Sequence, residues 1–220
     1  MVKVGVVLSG SGFQDGSEIQ EAVLTLLALD RHGATAVCLA PAIEQTQVVN
    51  HRTGKPAEDT RHVLDESARI ARGRITDASK VKASDLDALI LPGGFGAAKN
   101  LSNFAAAGAR AKAEPSIGRL VREMHKAKKP IGAWCVAPVV LAAALRDERL
   151  HPRMTIGSDE TTATTLEEMG VKHVVCPVDE HRVDEEQRIV TTPAYMYEAR
   201  ISEVATGIER AVADLLRMAR

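Results

Sequence analysis

The chain of 220 residues is 45% hydrophobic, which suffices for one well-buried α/β domain spanning 1–220. Its 28 basic and 29 acidic residues leave a formal net charge of -1, so it presents no electrostatic footprint for nucleic acid or an anionic membrane surface. Aromatics make up only 3%, too few for base-stacking platforms, and no stretch approaches the roughly 20 apolar residues of a membrane span.

In chain order, residues 2–9 form a continuous apolar run, the mark of a strand buried on both faces; they lack the segments of a signal peptide. A loop over 10–16 leads into a helix that starts at Ser17, with Ile19, Val23, Leu26 and Leu27 as its apolar face and Gly33 as its stop. A strand over 34–40, a polar hairpin or loop over 50–56 and a helix over 60–72 follow. The strand over 87–91 ends in Gly93-Gly94-Phe95-Gly96, and an irregular insert spans 99–113. Pro115 opens a helix to 128, the strand over 129–134 runs into Cys135, and a helix opened by Pro138 continues to 145. A short strand over 154–157, a helix over 161–169, late strands over 172–175, 182–183 and 188–191, and a closing helix over 201–219 complete the chain. Alternating strands and helices imply a parallel sheet covered on both faces.

The sharp strand-Cys-helix junction carries the chemistry. A residue at such a tip stands above the sheet with helix N–H groups beneath it, a setting that favours a negative sulfur and marks Cys135 as a nucleophile. The glycines over 93–96 let backbone N–H groups turn toward a ligand or a developing oxyanion. Together they suggest nucleophilic attack on a carbonyl. Glu18, in the first turn of the first helix, is either a protonated partner of the Cys135 sulfur or a solvated acid that complements the helix dipole. Cys38 and Cys176 read as small buried hydrophobes. Three unpaired, widely spaced cysteines suit a reducing compartment, for which the cytoplasm is the expectation.

The loop over 10–16 lacks dinucleotide-site spacing, no acidic residue ends the second strand, and Lys99-Asn100 do not complete a P-loop. None of the seven histidines has metal-ligand spacing. His181, in a loop between late strands, is the best histidine candidate beside Cys135 and otherwise a surface residue.

Several stretches carry a wider resemblance: the Asp15-Gly16-Ser17-Glu18-Ile19 segment with Glu21-Ala22-Val23-Leu24-Thr25-Leu26-Leu27, the Gly-rich block over 91–104, Leu166-Glu167-Glu168-Met169-Gly170, Cys176-Pro177-Val178-Asp179, and Ile189-Val190-Thr191-Thr192-Pro193-Ala194-Tyr195-Met196. The Gly-rich block and the Thr-Thr-Pro-Ala-Tyr-Met block are much more specific than the elbow alone. Through these stretches essentially the whole chain resembles the ThiJ/PfpI superfamily of the class I glutamine amidotransferase-like fold, and most closely its ElbB-type, glyoxalase-like branch, also called enhancing lycopene biosynthesis proteins. The resemblance implies a flavodoxin-like three-layer α/β/α sandwich, mostly parallel, and a homodimer. It also implies cofactor-independent, metal-free conversion of a small aldehyde, glyoxal or methylglyoxal, to a hydroxy acid. Cys135 and Glu18 would be the reactive pair, and the backbone N–H groups of Gly94 and Val136 would hold the oxyanion. Many glyoxalase-active relatives carry a histidine after the strand that follows the elbow helix; the stretch over 154–159 has none, which implies slow turnover. The alternative is a redox- or electrophile-responsive regulator that uses the same cysteine without significant turnover.

Overall fold

A computed structural model describes residues 1–148 and 150–220. Its strands are β1 (Lys3–Val7), β2 (Thr35–Ala40), β3 (Val49–Asn50), β4 (Lys55–Pro56), β5 (Thr76–Asp77), β6 (Ala88–Leu91), β7 (Ile131–Trp134), β8 (Arg153–Met154), β9 (Lys172–His173), β10 (Arg182–Asp184) and β11 (Ile189–Thr192). Its helices are α1 (Ile19–Arg31), α2 (Val63–Ile70), α3 (Phe95–Lys99), α4 (Phe104–Ala107), α5 (Pro115–Lys126), α6 (Pro138–Leu145), α7 (Glu160–Glu168) and α8 (Ile201–Met218). Seven strands form one sheet in the order β10-β11-β7-β6-β1-β2-β5, parallel except where β10 pairs antiparallel with β11. Helices α1, α2 and α8 pack as one group and α5 with α6 as another, giving the flavodoxin-like three-layer α/β/α sandwich.

The central strands are continuously apolar because both faces are covered: β6 and β7 are buried along their whole length, and β1 beyond its first residue. Their neighbouring carboxyl ends place three loops side by side, after β1, β6 and β7, where the direction of strand succession reverses and ligands of such sheets bind. Two expected strands lie elsewhere. Residues around 154 and 172 form the separate parallel pair β8–β9, outside the main sheet. The glycines over 93–96 lead straight into α3, capped by Gly94, and part of the insert over 99–113 forms α4.

Helix α1 turns a different face to the sheet than its apolar periodicity indicates. Glu21, Ala22, Thr25, Ala28 and Leu29 are buried, whereas Ile19, Val23 and Leu27 are exposed. Small and polar side chains make the close contact, and their polar atoms are satisfied. Thr25 Oγ1 donates to the Glu21 carbonyl at 2.7 Å and accepts the indole N–H of the fully buried Trp134 at 2.9 Å. That pair ties α1 to the end of β7, one residue before Cys135. Thr25→Val keeps the volume but strands the indole donor, so it is expected to destabilise the protein by about 1–3 kcal/mol in urea unfolding. An unchanged midpoint would show that the bond carries no weight.

Candidate active site

The elbow is built by the backbone. Cys135 adopts φ +55°, the left-handed region, at a cost on the order of 1–2 kcal/mol for a residue with a Cβ. Its N–H donates to the Thr192 carbonyl of β11 at 2.9 Å, and the Ala137 N–H donates to the Trp134 carbonyl at 2.9 Å, which hold the kink. Pro138, at the start of α6, needs no N–H partner there. The Cys135 side chain is 7% exposed.

Three groups address the sulfur: the N–H groups of Gly94 and Val136, and the carboxyl of Glu21. Glycine is required in the facing loop for two reasons. A Cβ on Gly93 would collide with Cys135 Cβ and stand 2.8 Å from Glu21 Oε2, while Gly94 sits at φ +95° against the backbone of Gly16 and Glu18. Asn100 fastens the loop over 10–16 from beneath by donating to the Ser9 carbonyl at 2.9 Å and the Asp15 carbonyl at 2.8 Å. Of that loop's glycines, Gly16 packs its backbone against Gly94 and Gly96 in the site's wall.

Glu21 supplies the sulfur-facing carboxyl that Glu18 was expected to supply. It is fully buried; Oε2 accepts the Gly93 N–H at 2.8 Å and Oε1 accepts the Tyr195 N–H at 3.2 Å. Burial, reinforced by the neighbouring Glu18, pushes its carboxyl up to about 8. Glu18 is the N-cap of α1, and its Oε2 turns back to accept the Glu21 N–H at 2.6 Å. It forms part of the pocket wall, where burial raises its carboxyl above the ordinary range. A cap residue spends its side chain on its own helix, whereas a residue one turn further in projects toward the sheet. The pattern Glu21, Thr25, Ala28, with Ala22 and Leu29 beside it, is the sequence signal that identifies this face.

The low thiol pKa expected of the elbow meets a larger opposing effect. Burial, and then the negative charge of Glu21, push the Cys135 thiol well above its usual range, against the pull of the Gly94 and Val136 N–H groups. Two acids in one desolvated site resist carrying two charges, so they titrate as a pair. The sulfur becomes nucleophilic when the pair carries one charge and Glu21 holds the remaining proton.

Cys135 forms the floor of a pocket of about 250 Å³ walled by Phe13, Glu18, Phe95, Asp159, Thr162 and Tyr195. Asp159 caps α7, accepting the Thr162 N–H at 2.7 Å, and its bonds with Thr162 hold its carboxyl below the ordinary range. The segment that was expected to lack a histidine thus contributes a carboxylate. Among the described residues no histidine lines this pocket; His181 pairs instead with Asp214 of α8 at 2.8 Å. Cys38 and Cys176 are buried, and burial raises both thiols, Cys176 to about 11. Among the described residues no three His, Cys, Asp or Glu side chains are gathered to hold a metal ion, and no helix is long and apolar enough to cross a membrane.

Residues 6–192 match the DJ-1/PfpI family. The chain belongs to the DJ-1/PfpI family. It is 42% identical to the mitochondrial glutamine amidotransferase-like class 1 domain-containing protein 3 of Homo sapiens, over 98% of this chain and 83% of that protein. Its structure superposes with a TM-score of 0.94 on an isoprenoid biosynthesis protein with an amidotransferase-like domain from Ehrlichia chaffeensis, at 38% identity and 100% coverage of both chains. Glyoxalase III from Candida albicans shares the fold, with a TM-score of 0.64 at 13% identity over 99% of this chain and 97% of that one. The Rattus norvegicus and Danio rerio relatives of this DJ-1/PfpI protein are also named mitochondrial. These relatives' names overturn the cytoplasmic expectation. Unpaired cysteines indicate a reducing environment, not which reducing compartment provides it.

Proposed function

We propose that this DJ-1/PfpI protein converts glyoxal to glycolate without a cofactor, with Cys135 as nucleophile. The observation that carries the reading is the strained Cys135 elbow, with its sulfur facing the buried Glu21 carboxyl and two backbone N–H groups at the floor of an open pocket. The thiol proton passes to Glu21 and the sulfur adds to one carbonyl carbon. The new oxyanion forms beside the Gly94 and Val136 N–H groups and takes up a proton, giving a hemithioacetal. Glu18, a pocket-wall acid with a raised pKa, removes the proton from that carbon, and the neighbouring carbon receives one through an enediol. The carbon bound to sulfur is oxidised to the thioester level while its neighbour is reduced to an alcohol, so no external oxidant or reductant is needed. Water then breaks the C–S bond, and the balance is glyoxal plus water to glycolate plus a proton. The product carboxylate arises near Asp159, whose charge favours its release.

With no histidine in the pocket, proton transfer rests on carboxyl groups alone and turnover is expected to be slow. Incubation with glyoxal, without added metal or thiol, followed by chromatographic detection of glycolate tests the reading. Glycolate above the enzyme-free rate supports it. No glycolate, together with selective peroxide oxidation of Cys135 seen by intact mass, would overturn it in favour of an electrophile-responsive protein.

A further inference from the structure

The pocket over Cys135 is only the inner part of a larger cleft. It opens past Phe13, Phe95, Val136 and Thr162, which line both spaces, into a groove of about 540 Å³. All three phenylalanines of the chain stand there: Phe13 and Phe95 at the junction and Phe104 beyond it. Phe13 and Phe95 are 47% and 51% exposed, and among the exposed large apolar side chains of the described residues these two border the space over Cys135. Both rings are held in place. His51 meets Phe13 edge-on with ring centroids 5.5 Å apart. The Lys99 ammonium lies 5.7 Å from the Phe95 ring centre and is pinned by the Gln14 carbonyl at 2.9 Å and Gln47 Oε1 at 2.8 Å. Preorganised aromatic surface left open to solvent beside a nucleophile is what a substrate's apolar part would cover. Glyoxal leaves that surface uncovered. A water molecule takes about 30 Å³ of liquid volume, so a two-carbon dialdehyde fills a small part of the inner pocket alone.

We propose that the preferred substrates are 2-oxo aldehydes with a flat apolar substituent, the aldehyde carbon bonded to Cys135 and the substituent lying among Phe13, Phe95 and Phe104. This rests on the carbonyl chemistry proposed for Cys135 and names its substrate class. For phenylglyoxal the balance is phenylglyoxal plus water to mandelate plus a proton, with the aldehyde carbon oxidised and the ketone carbon reduced.

The test compares kcat/KM for phenylglyoxal and glyoxal, with mandelate and glycolate separated by chromatography so that arginine modification by phenylglyoxal is not counted. Phenylglyoxal is expected to exceed glyoxal by about 10-fold or more. Phe104→Ala, and Ala105→Glu at an exposed position of the same groove, are each expected to remove most of that advantage, and Ala105→Glu is expected to change glyoxal turnover less than about twofold. A second readout is independent of turnover: mandelate is expected to slow iodoacetamide alkylation of Cys135 in the unmodified protein, and less so in Ala105→Glu. Glyoxal turnover without a phenylglyoxal advantage would overturn the groove assignment alone. Mandelate protection lost in Ala105→Glu, with neither aldehyde consumed, would keep the groove as an aryl site and overturn the glyoxalase reading. Absence of both protection and turnover would overturn both.

Discussion

Cys135→Ser is expected to lower glycolate formation by at least about 10³-fold while the protein stays folded. The exchange is nearly isosteric, and the Gly94 and Val136 N–H groups that face the sulfur can bond a hydroxyl oxygen instead. What is lost is a nucleophile able to exchange its proton with Glu21, since a serine hydroxyl is far less acidic than a thiol. Retained circular dichroism with residual turnover near background is the expected pair of results. Turnover within about tenfold of the unmodified protein would place the chemistry elsewhere.

Glu21→Gln is expected to lower turnover by about 10²- to 10⁴-fold and to change how stability depends on pH. The sign follows from the raised carboxyl. Unfolded, Glu21 titrates near its ordinary 4.5; folded, it titrates at about 8. Between these values the folded state holds a proton that the unfolded state has released, so the contribution of Glu21 to stability is fully present below about 4.5 and is lost as pH rises through about 8. The slope is at most about 1.4 kcal/mol per pH unit. Glutamine does not ionise, so the difference in unfolding free energy between the two proteins should shift across this window. The variant should also be less stable at acid pH. Its amide offers one oxygen where Gly93 and Tyr195 present two N–H donors, leaving one unpaired at a cost of about 1–3 kcal/mol. Glu18→Gln, at the pocket wall, should reduce turnover and, by removing a neighbouring negative charge, bring the Glu21 carboxyl down toward its ordinary range. Parallel pH–stability curves for Glu21→Gln and the unmodified protein would mean that Glu21 is not buried as described.

The sequence made the sheet, the elbow and the Gly-rich loop legible because backbone and burial dictate them directly. Continuous apolar runs mark β1, β6 and β7, and only a tight turn accommodates Trp134-Cys135-Val136 before Pro138. The proton partner was not legible. Apolar periodicity selects Ile19, Val23 and Leu27 as the inner face of α1, yet the helix approaches the sheet through Ala22, Thr25 and Ala28, and that rotation carries Glu21 to the sulfur. Small residues permit close approach but add little to an apolar count, so a face made of them is easily missed. The same rotation explains why Glu18, three residues earlier, caps the helix instead. Asp159, Thr162 and Tyr195 reach the pocket from chain-distant loops, and no local pattern announces such convergence. Thiol acidity was misjudged for a related reason: the N–H donors were visible in the turn, but the desolvation that outweighs them depends on how the whole cleft packs.

The most direct measurement is the rate of Cys135 alkylation by iodoacetamide across pH, with and without glyoxal, each cysteine followed by peptide mass spectrometry. The expected result is a rate that keeps rising through the alkaline range, as burial and the Glu21 charge hold the thiol above its usual range, slowed by glyoxal and altered in Glu21→Gln, with Cys38 and Cys176 reacting far more slowly. A rate that is already at its plateau near pH 6, or one that glyoxal leaves untouched, would contradict a thiol whose nucleophilicity depends on the proton held by Glu21 in a substrate-accessible pocket.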